Sequence, residues 1–200
     1  NMPSSITLPG GTKKEYTYDP LMKTKTINVK DPGQNPLMTY NYQYSPSENI
    51  TAKNTEHGNY AYQYDELYRL TDAANPSSNE AYTYDAVGRK QTMTVAGQPV
   101  VNYTYDDTGR LTDINTLING VAAGFSLRYD DAGRRTSLTL PNGVTTNYTY
   151  DNASRLLEMK HLNSLSQILE QVNYGYDPNG NRTSMNRPSV NLPMANPASN

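Results

Sequence analysis

The stretch YTYDDTGRLT at 103–112 brings together two tyrosines, two adjacent aspartates, a glycine and an arginine. Successive side chains of a strand point to opposite faces, so Tyr103 and Tyr105 share one face. Asp106 is of the type favoured at the first position of a type I turn. Gly109 suits the left-handed residue that closes a three-residue hairpin loop. The residues after the glycine return to a strand pattern, so the stretch predicts two strands joined by a tight corner.

The same pattern recurs eight times along the chain. Each copy has a second residue, usually tyrosine, two positions before an anchoring tyrosine, and a polar turn follows. The anchoring tyrosines are Tyr18, Tyr44, Tyr64, Tyr84, Tyr105, Tyr129, Tyr150 and Tyr176. Their spacing of 20 to 26 residues leaves room for two strands and two turns in each unit. A second turn is clearest at 140–144, where Asn142-Gly143 is a strong hairpin signal.

The repeat is defined by its tyrosines, aspartates, glycines and arginines, and we expect a structural role for them. The repeat-defining residues are Tyr18, Asp19, Tyr64, Asp65, Tyr84, Asp85, Gly88, Arg89, Tyr105, Asp106, Gly109, Arg110, Tyr129, Asp130, Gly133, Arg134, Tyr150, Asp151, Arg155, Tyr176, Asp177 and Gly180. Units without glycine, which carry for example Tyr68 or Ser154, are expected to close differently or less favourably. The arginines are expected to pair with a neighbouring unit's aspartate or to lie over a tyrosine ring.

Two segments depart from the regular spacing. An insertion at 115–124 is expected to lengthen one connection. The segment 156–172 has partial helical character, but we predict two longer strands around Asn163-Ser164.

The composition agrees with β structure whose apolar faces are largely tyrosine. Among 200 residues, tyrosine occurs 18 times, phenylalanine once and tryptophan never, and the mean hydropathy is −0.80. Acidic and basic residues are intermingled with a net charge of −2, which argues against a nucleic-acid partner. Cysteine is absent, so disulfides and thiolate sites are excluded. No apolar run approaches the roughly 18 residues of a membrane span.

Several patterns could in principle carry chemistry. Adjacent carboxylates such as Asp106 and Asp107 could act as acid and base or bind a hard cation. Their recurrence from unit to unit instead favours turn capping. The sequence DPNGN at 177–181 begins like a calcium loop, but the place of the bidentate glutamate is taken by Pro188.

The remaining candidates are also better explained by structure. His57 and His161, the only histidines, are far apart, so no catalytic triad or zinc set can be assembled. Rows of tyrosines could bind carbohydrate, but cross-strand packing is the favoured interpretation. We therefore predict no catalytic residue, no cofactor and no metal.

Tyr-Asp-x-x-Gly-Arg units at about 20-residue spacing, from residue 16 to 183, resemble the YD repeat of the Rhs family. Tc toxin B–C components, other polymorphic toxins and teneurins share this repeat. The resemblance implies an all-β fold of antiparallel β-hairpin repeats, two strands each, forming a continuous spiralling sheet. Such a sheet would be a fragment of a hollow shell. The implied partners are other YD-repeat segments of a longer polypeptide, or identical copies paired edge to edge, and an enclosed toxin domain.

The expected organisation is a lead-in strand or linker at 1–15, an eight-unit repeat array at 16–185, and a Pro/Asn-rich tail at 186–200. The tail is expected to be irregular or to pair with a following repeat. The leading function is a non-enzymatic shell segment that encapsulates the toxic domain of a secreted or cell-surface bacterial toxin. The alternatives are an adhesion or filament-forming protein that assembles through exposed β edges, and a carbohydrate-binding module.

Overall fold

The computed structural model describes residues 2–188, and every regular element in this range is a β-strand. The chain divides into two units, Asn1–Val100 and Val101–Asn200, here called unit 1 and unit 2. The prediction of an all-β, antiparallel fold is confirmed. Most of the predicted tail, from residue 189 onward, lies outside the described residues. No helix that could cross a membrane is found in the described range.

The described part of unit 1 contains nine strands, and consecutive strands pair antiparallel. They are β1 (Ser5–Thr7), β2 (Lys13–Tyr18), β3 (Thr24–Lys30), β4 (Pro36–Tyr44), β5 (Ile50–Thr55), β6 (Gly58–Tyr64), β7 (Leu70–Ala74), β8 (Asn79–Tyr84) and β9 (Lys90–Val95).

The described part of unit 2 contains eight strands in the same antiparallel order. They are β10 (Val101–Tyr105), β11 (Leu111–Ile118), β12 (Val121–Tyr129), β13 (Arg135–Thr139), β14 (Thr145–Tyr150), β15 (Leu156–Leu162), β16 (Ile168–Tyr176) and β17 (Arg182–Asn186). In both units the strands touch only their neighbours along the chain, so each described sheet is a single layer.

The two faces of the strands differ in burial. In β4, Tyr40, Tyr42 and Tyr44 are half-buried, whereas Asn41 and Gln43 between them are exposed. This alternation follows from the two-residue period of a strand. The tyrosine rings therefore cover one face, and the other face is mostly polar.

Full burial is rare and lies on the tyrosine face of unit 2. Val172 is completely buried and precedes Tyr174 by two positions on β16. Thr146, 5% exposed, has the same relation to Tyr148 on β14. With so small a core, backbone pairing and side-chain contacts between neighbouring repeats must hold much of the sheet together.

The two irregular segments differ in outcome. The insertion at 115–124 forms no extended loop, because β11 and β12 continue through it and meet at a two-residue turn, Asn119-Gly120. Both turn residues have positive φ, 52° and 77°, as an Asn-Gly hairpin turn requires. The expectation of a lengthened connection was wrong, since the extra residues lengthen the strands instead. The prediction of two strands around Asn163-Ser164 is confirmed by β15 and β16.

Candidate functional site: the tyrosine-aspartate corners

The corner after β12 shows how each Tyr-Asp unit turns the chain. The Asp130 amide donates to the Arg134 carbonyl at 2.9 Å, and the Gly133 amide donates to the Asp130 carbonyl at 2.9 Å. Gly133 has a φ of 79°, in the left-handed region. The ladder register shifts between Arg128 and Tyr129, so the corner is a hairpin loop with a bulge.

The Asp130 carboxylate stabilises the corner from inside. Its Oδ1 accepts the Arg134 amide at 2.9 Å, and its Oδ2 accepts Arg134 Nε at 2.7 Å. Hydrogen bonds from the Arg134 amide and guanidinium hold the pKa of Asp130 below its usual range. The aspartate therefore stays charged and pairs with the arginine of its own unit. The expectation of a carboxylate paired with a neighbouring unit was wrong.

All eight corners close with the same two backbone hydrogen bonds. These join the first residue to the fifth and the fourth back to the first, beginning at Asp19, Ser45, Asp65, Asp85, Asp106, Asp130, Asp151 and Asp177. The Asp-Arg side-chain pair recurs at Asp65–Arg69, Asp85–Arg89, Asp106–Arg110, Asp130–Arg134 and Asp151–Arg155. In the last corner Asn181 takes the place of arginine and donates both its amides to Asp177.

Corners that lack glycine do not close in a different way. Met22, Glu48, Tyr68 and Ser154 occupy the fourth position with φ between 61° and 73°. Their amides make the same hydrogen bond to the first residue. A left-handed residue with a Cβ is strained, so closure of these corners costs more than with glycine.

Successive corners are tied together by the arginine and by the next anchoring tyrosine. The Arg134 guanidinium lies 5.0 Å from the centroid of the Tyr150 ring, and its Nη1 donates to the Asp151 carbonyl at 2.8 Å. The Tyr150 hydroxyl returns a hydrogen bond to the Arg135 carbonyl at 2.9 Å. The expectation that the arginines lie over tyrosine rings is confirmed. We call this set of contacts the corner ladder.

The corner ladder runs through both units. A cation lies 4.5 to 5.4 Å from the centroid of the next anchoring ring in the pairs Lys23–Tyr44, Arg69–Tyr84, Arg110–Tyr129, Arg134–Tyr150 and Arg155–Tyr176. Anchoring hydroxyls donate to a carbonyl 14 to 20 residues earlier from Tyr18, Tyr44, Tyr64, Tyr84, Tyr129, Tyr150 and Tyr176. A tyrosine is therefore needed at the anchor for its face and for its hydroxyl.

Some turns at the opposite ends of the strands use the same geometry without tyrosine. Asp31 closes its turn with Asn35, and Asn163 closes the corresponding turn with Gln167. The relation of these turns to the corners was not predicted from the sequence. The signal was present, because each pair has the same four-residue spacing as the Asp-Arg pairs.

The residues considered for chemistry are kept apart by the fold. Asp107 lies at an exposed corner tip while the Asp106 carboxylate faces its own loop, where hydrogen bonds from the Thr108 hydroxyl and Arg110 lower its pKa. The Asp177 carboxylate accepts a hydrogen bond from the Asn181 amide of its own corner. Within residues 2–188 no cluster of three or more acidic or histidine side chains could hold a metal ion.

The two histidines also have separate structural settings. His57 lies in the exposed two-residue turn between β5 and β6. His161 lies on β15, and its Nδ1 is 2.8 Å from the hydroxyl of the buried Thr146. The sequence could not reveal the contact between His161 and Thr146, because it depends on the register between β14 and β15.

Antiparallel hairpins whose corners repeat with one internal bonding pattern define a repeat protein that builds sheet from Tyr-Asp units. The family model described as the teneurin YD-shell matches residues 14–146. The chain therefore belongs to the teneurin YD-shell family. A search of curated proteins finds no match.

Solved structures of Tc toxin components have a similar fold. The crystal structure of TcdB2-TccC3-TEV aligns with a TM-score of 0.74 at 17% identity, over 90% of this chain. The crystal structure of TcdB2-TccC3 without its hypervariable C-terminal region aligns with a TM-score of 0.68 at 18% identity, also over 90% of this chain. In both cases this chain spans 11% of the length of the matched chain. The family and the fold support a structural role as shell material.

Proposed function

We propose that the chain is a non-enzymatic wall segment of a larger YD-repeat shell, and that the shell encloses the toxic domain of a secreted bacterial polymorphic toxin. The observation that carries the proposal is the corner ladder. In unit 2, Arg110, Arg134 and Arg155 each pair with the aspartate of their own corner and donate to the carbonyl of the next, so these corners form a regularly braced edge. Such bracing suits a wall that must keep its form with few buried side chains.

The described residues also favour a wall over an active site. The carboxylates of the corners are committed to amides and guanidinium groups of their own loops, and hydrogen bonding lowers the pKa of Asp65, Asp130 and Asp151. A general acid or base needs a pKa near the operating pH and access to a substrate proton. The lowered pKa of these aspartates takes them away from such a role, which supports a structural role for the repeat.

Encapsulation can be tested on the full polypeptide to which this chain belongs. Negative-stain electron microscopy should show closed shells, and limited proteolysis should leave an internal domain intact until denaturant opens the wall. Cleavage of every domain at the same rate in native buffer would contradict containment. Detection of hydrolase activity that depends on corner aspartates would contradict the non-enzymatic role.

A second candidate function is assembly into filaments, and one observation favours it. Within unit 2 the last described strand, β17, is exposed along its whole length. Among the described strands of that unit, it pairs only with β16. An unpaired edge is a template for another strand. Long uniform fibres formed by the full polypeptide would favour this candidate over the shell.

A further inference from the structure

One step of the corner ladder in unit 1 lacks its cation. Asn49 occupies the position that Lys23 and Arg69 hold in the corners before and after it. Asparagine is too short to reach the next anchoring ring, which is that of Tyr64. Among the described residues no cation lies over Tyr64, and no side chain donates to the carbonyl of Asp65.

This step of the ladder is open to solvent as a cleft. The cleft has a volume of about 670 Å³, and its lining includes Ser45, Asn49 and Thr51. Tyr62, Tyr64 and Tyr68 also line it, together with Glu66. The cleft therefore lies where Arg110, Arg134 and Arg155 place their guanidinium groups in unit 2.

The groups around the cleft suit a cation with several hydrogen-bond donors. The face of the Tyr64 ring can contact a cation. The Asp65 carbonyl can accept a hydrogen bond from it, as the Asp151 carbonyl accepts one from Arg134. The Asp65 carboxylate is already paired with Arg69 at 2.7 Å, so it is not the group that would bind a cation in the cleft. Glu66 has no ion-pair partner among the described residues and supplies a negative charge at the rim.

We propose that this cleft binds a guanidinium group, namely an arginine side chain presented by another polypeptide segment. A guanidinium is planar, stacks on an aromatic ring and donates in a fork, whereas an ammonium is a point charge. The intact steps of the ladder show the difference. Arg69 lies 4.5 Å from its ring centroid, whereas Lys23 lies 5.4 Å from its ring and turns to Glu48.

The proposal can be tested by NMR titration of the chain with arginine amide, with tyrosine-ring and glutamate labels as reporters. Resonances of Tyr64 and Glu66 should shift with a dissociation constant on the order of 1–10 mM, as expected for so small a ligand. Citrulline amide has the same shape without the charge and should cause no comparable shift. Tyr84, whose ring face is covered by Arg69, is the internal control and should not respond.

Two variants separate binding from stability. Ser45→Asp combined with Asn49→Arg restores the full motif, so it should abolish the titration and raise the thermal midpoint by about 2–4 °C. Glu66→Gln at the exposed tip leaves the fold intact and should weaken binding several-fold. Equal shifts from citrulline amide, equal shifts at Tyr84, or unchanged binding by Glu66→Gln would each overturn the proposal.

Discussion

The Arg134 guanidinium lies 5.0 Å from the centroid of the Tyr150 ring while its Nε donates to the Asp130 carboxylate at 2.7 Å. One side chain thus contacts two successive corners. Nη1 adds a third contact, to the Asp151 carbonyl at 2.8 Å. Only a planar cation with forked donors can make these contacts together, which explains why arginine recurs at this position.

Replacement of Arg134 by alanine should therefore destabilise unit 2 strongly. The variant loses a charge-assisted pair inside its corner, a hydrogen bond to the next corner and a ring contact. We expect the free energy of unfolding to fall by about 1–3 kcal/mol, measured by urea denaturation. Arg128→Ala is the matched control, because that side chain is 57% exposed, and it should cost less than about 0.5 kcal/mol. An equal loss in both variants would contradict the corner ladder.

The hydroxyl of an anchoring tyrosine should contribute more than that of its partner on the same strand. The Tyr44 hydroxyl donates to the Thr24 carbonyl at 2.8 Å, and burial raises the pKa of Tyr44. Tyr44→Phe should cost about 0.5–1.5 kcal/mol in thermal or urea unfolding.

Tyr42→Phe is the control for this prediction, because no hydrogen bond from the Tyr42 hydroxyl is found among the described residues. It should leave stability unchanged within about 0.5 kcal/mol. If Tyr42→Phe were as costly as Tyr44→Phe, the hydrogen bond from the Tyr44 hydroxyl would not explain the stability lost in Tyr44→Phe.

The fourth corner position tests the cost of a left-handed residue. Met22 has a φ of 63° and an exposed side chain, so Met22→Gly relieves strain and loses little packing. We expect a net stabilisation of about 0.5 kcal/mol, since the flexibility of glycine in the unfolded chain offsets part of the gain.

Gly133→Ala is the reciprocal change. A Cβ at this position would meet its nearest side-chain atom, Arg110 Nη1, at 3.7 Å, which is an ordinary contact. The expected loss of about 1 kcal/mol is therefore conformational and not steric. Thermal unfolding of both variants checks the pair of predictions, and a stabilising Gly133→Ala would contradict the account of corner closure.

The sequence predicts most of a corner but little of the ladder between corners. Tyrosines two apart, an aspartate and a glycine have local meanings, so strand, turn and left-handed residue can be read from position alone. The contact between Arg134 and Tyr150 depends on which strands lie side by side and in which register. The same holds for Thr146 and His161, which face each other across β14 and β15.

The two wrong predictions also concern contacts that depend on how the strands and corners fold together. Extra residues near Asn119 look like a longer loop, but two strands can absorb an insertion if both grow equally. From the sequence, an arginine four residues after an aspartate could pair with the aspartate of a neighbouring unit. The corner folds back so tightly that Arg134 and Asp130 of one unit meet first.

The pH dependence of stability should reveal the charged corners. Hydrogen bonds from the Arg155 amide and guanidinium lower the pKa of Asp151, and Asp130 has the same arrangement with Arg134. A carboxyl whose pKa is lower in the folded state stabilises that state above its unfolded pKa, near 4. The stabilisation is lost as pH falls through the folded value. The unfolding midpoint should therefore be constant near neutral pH and decline below about pH 4.

Asp151→Asn isolates one contribution to this decline. Asparagine can still accept the backbone amides of the loop, as Asn163 does from Leu165 and Gln167 in its own turn, but it carries no charge. The variant should be less stable than the parent at neutral pH and should lose less stability between pH 4 and pH 2. Ala153→Ser, at the same corner, leaves Asp151 and Arg155 in place and should keep the parent profile. An unchanged acid profile in Asp151→Asn would show that the charge of Asp151 does not stabilise the corner.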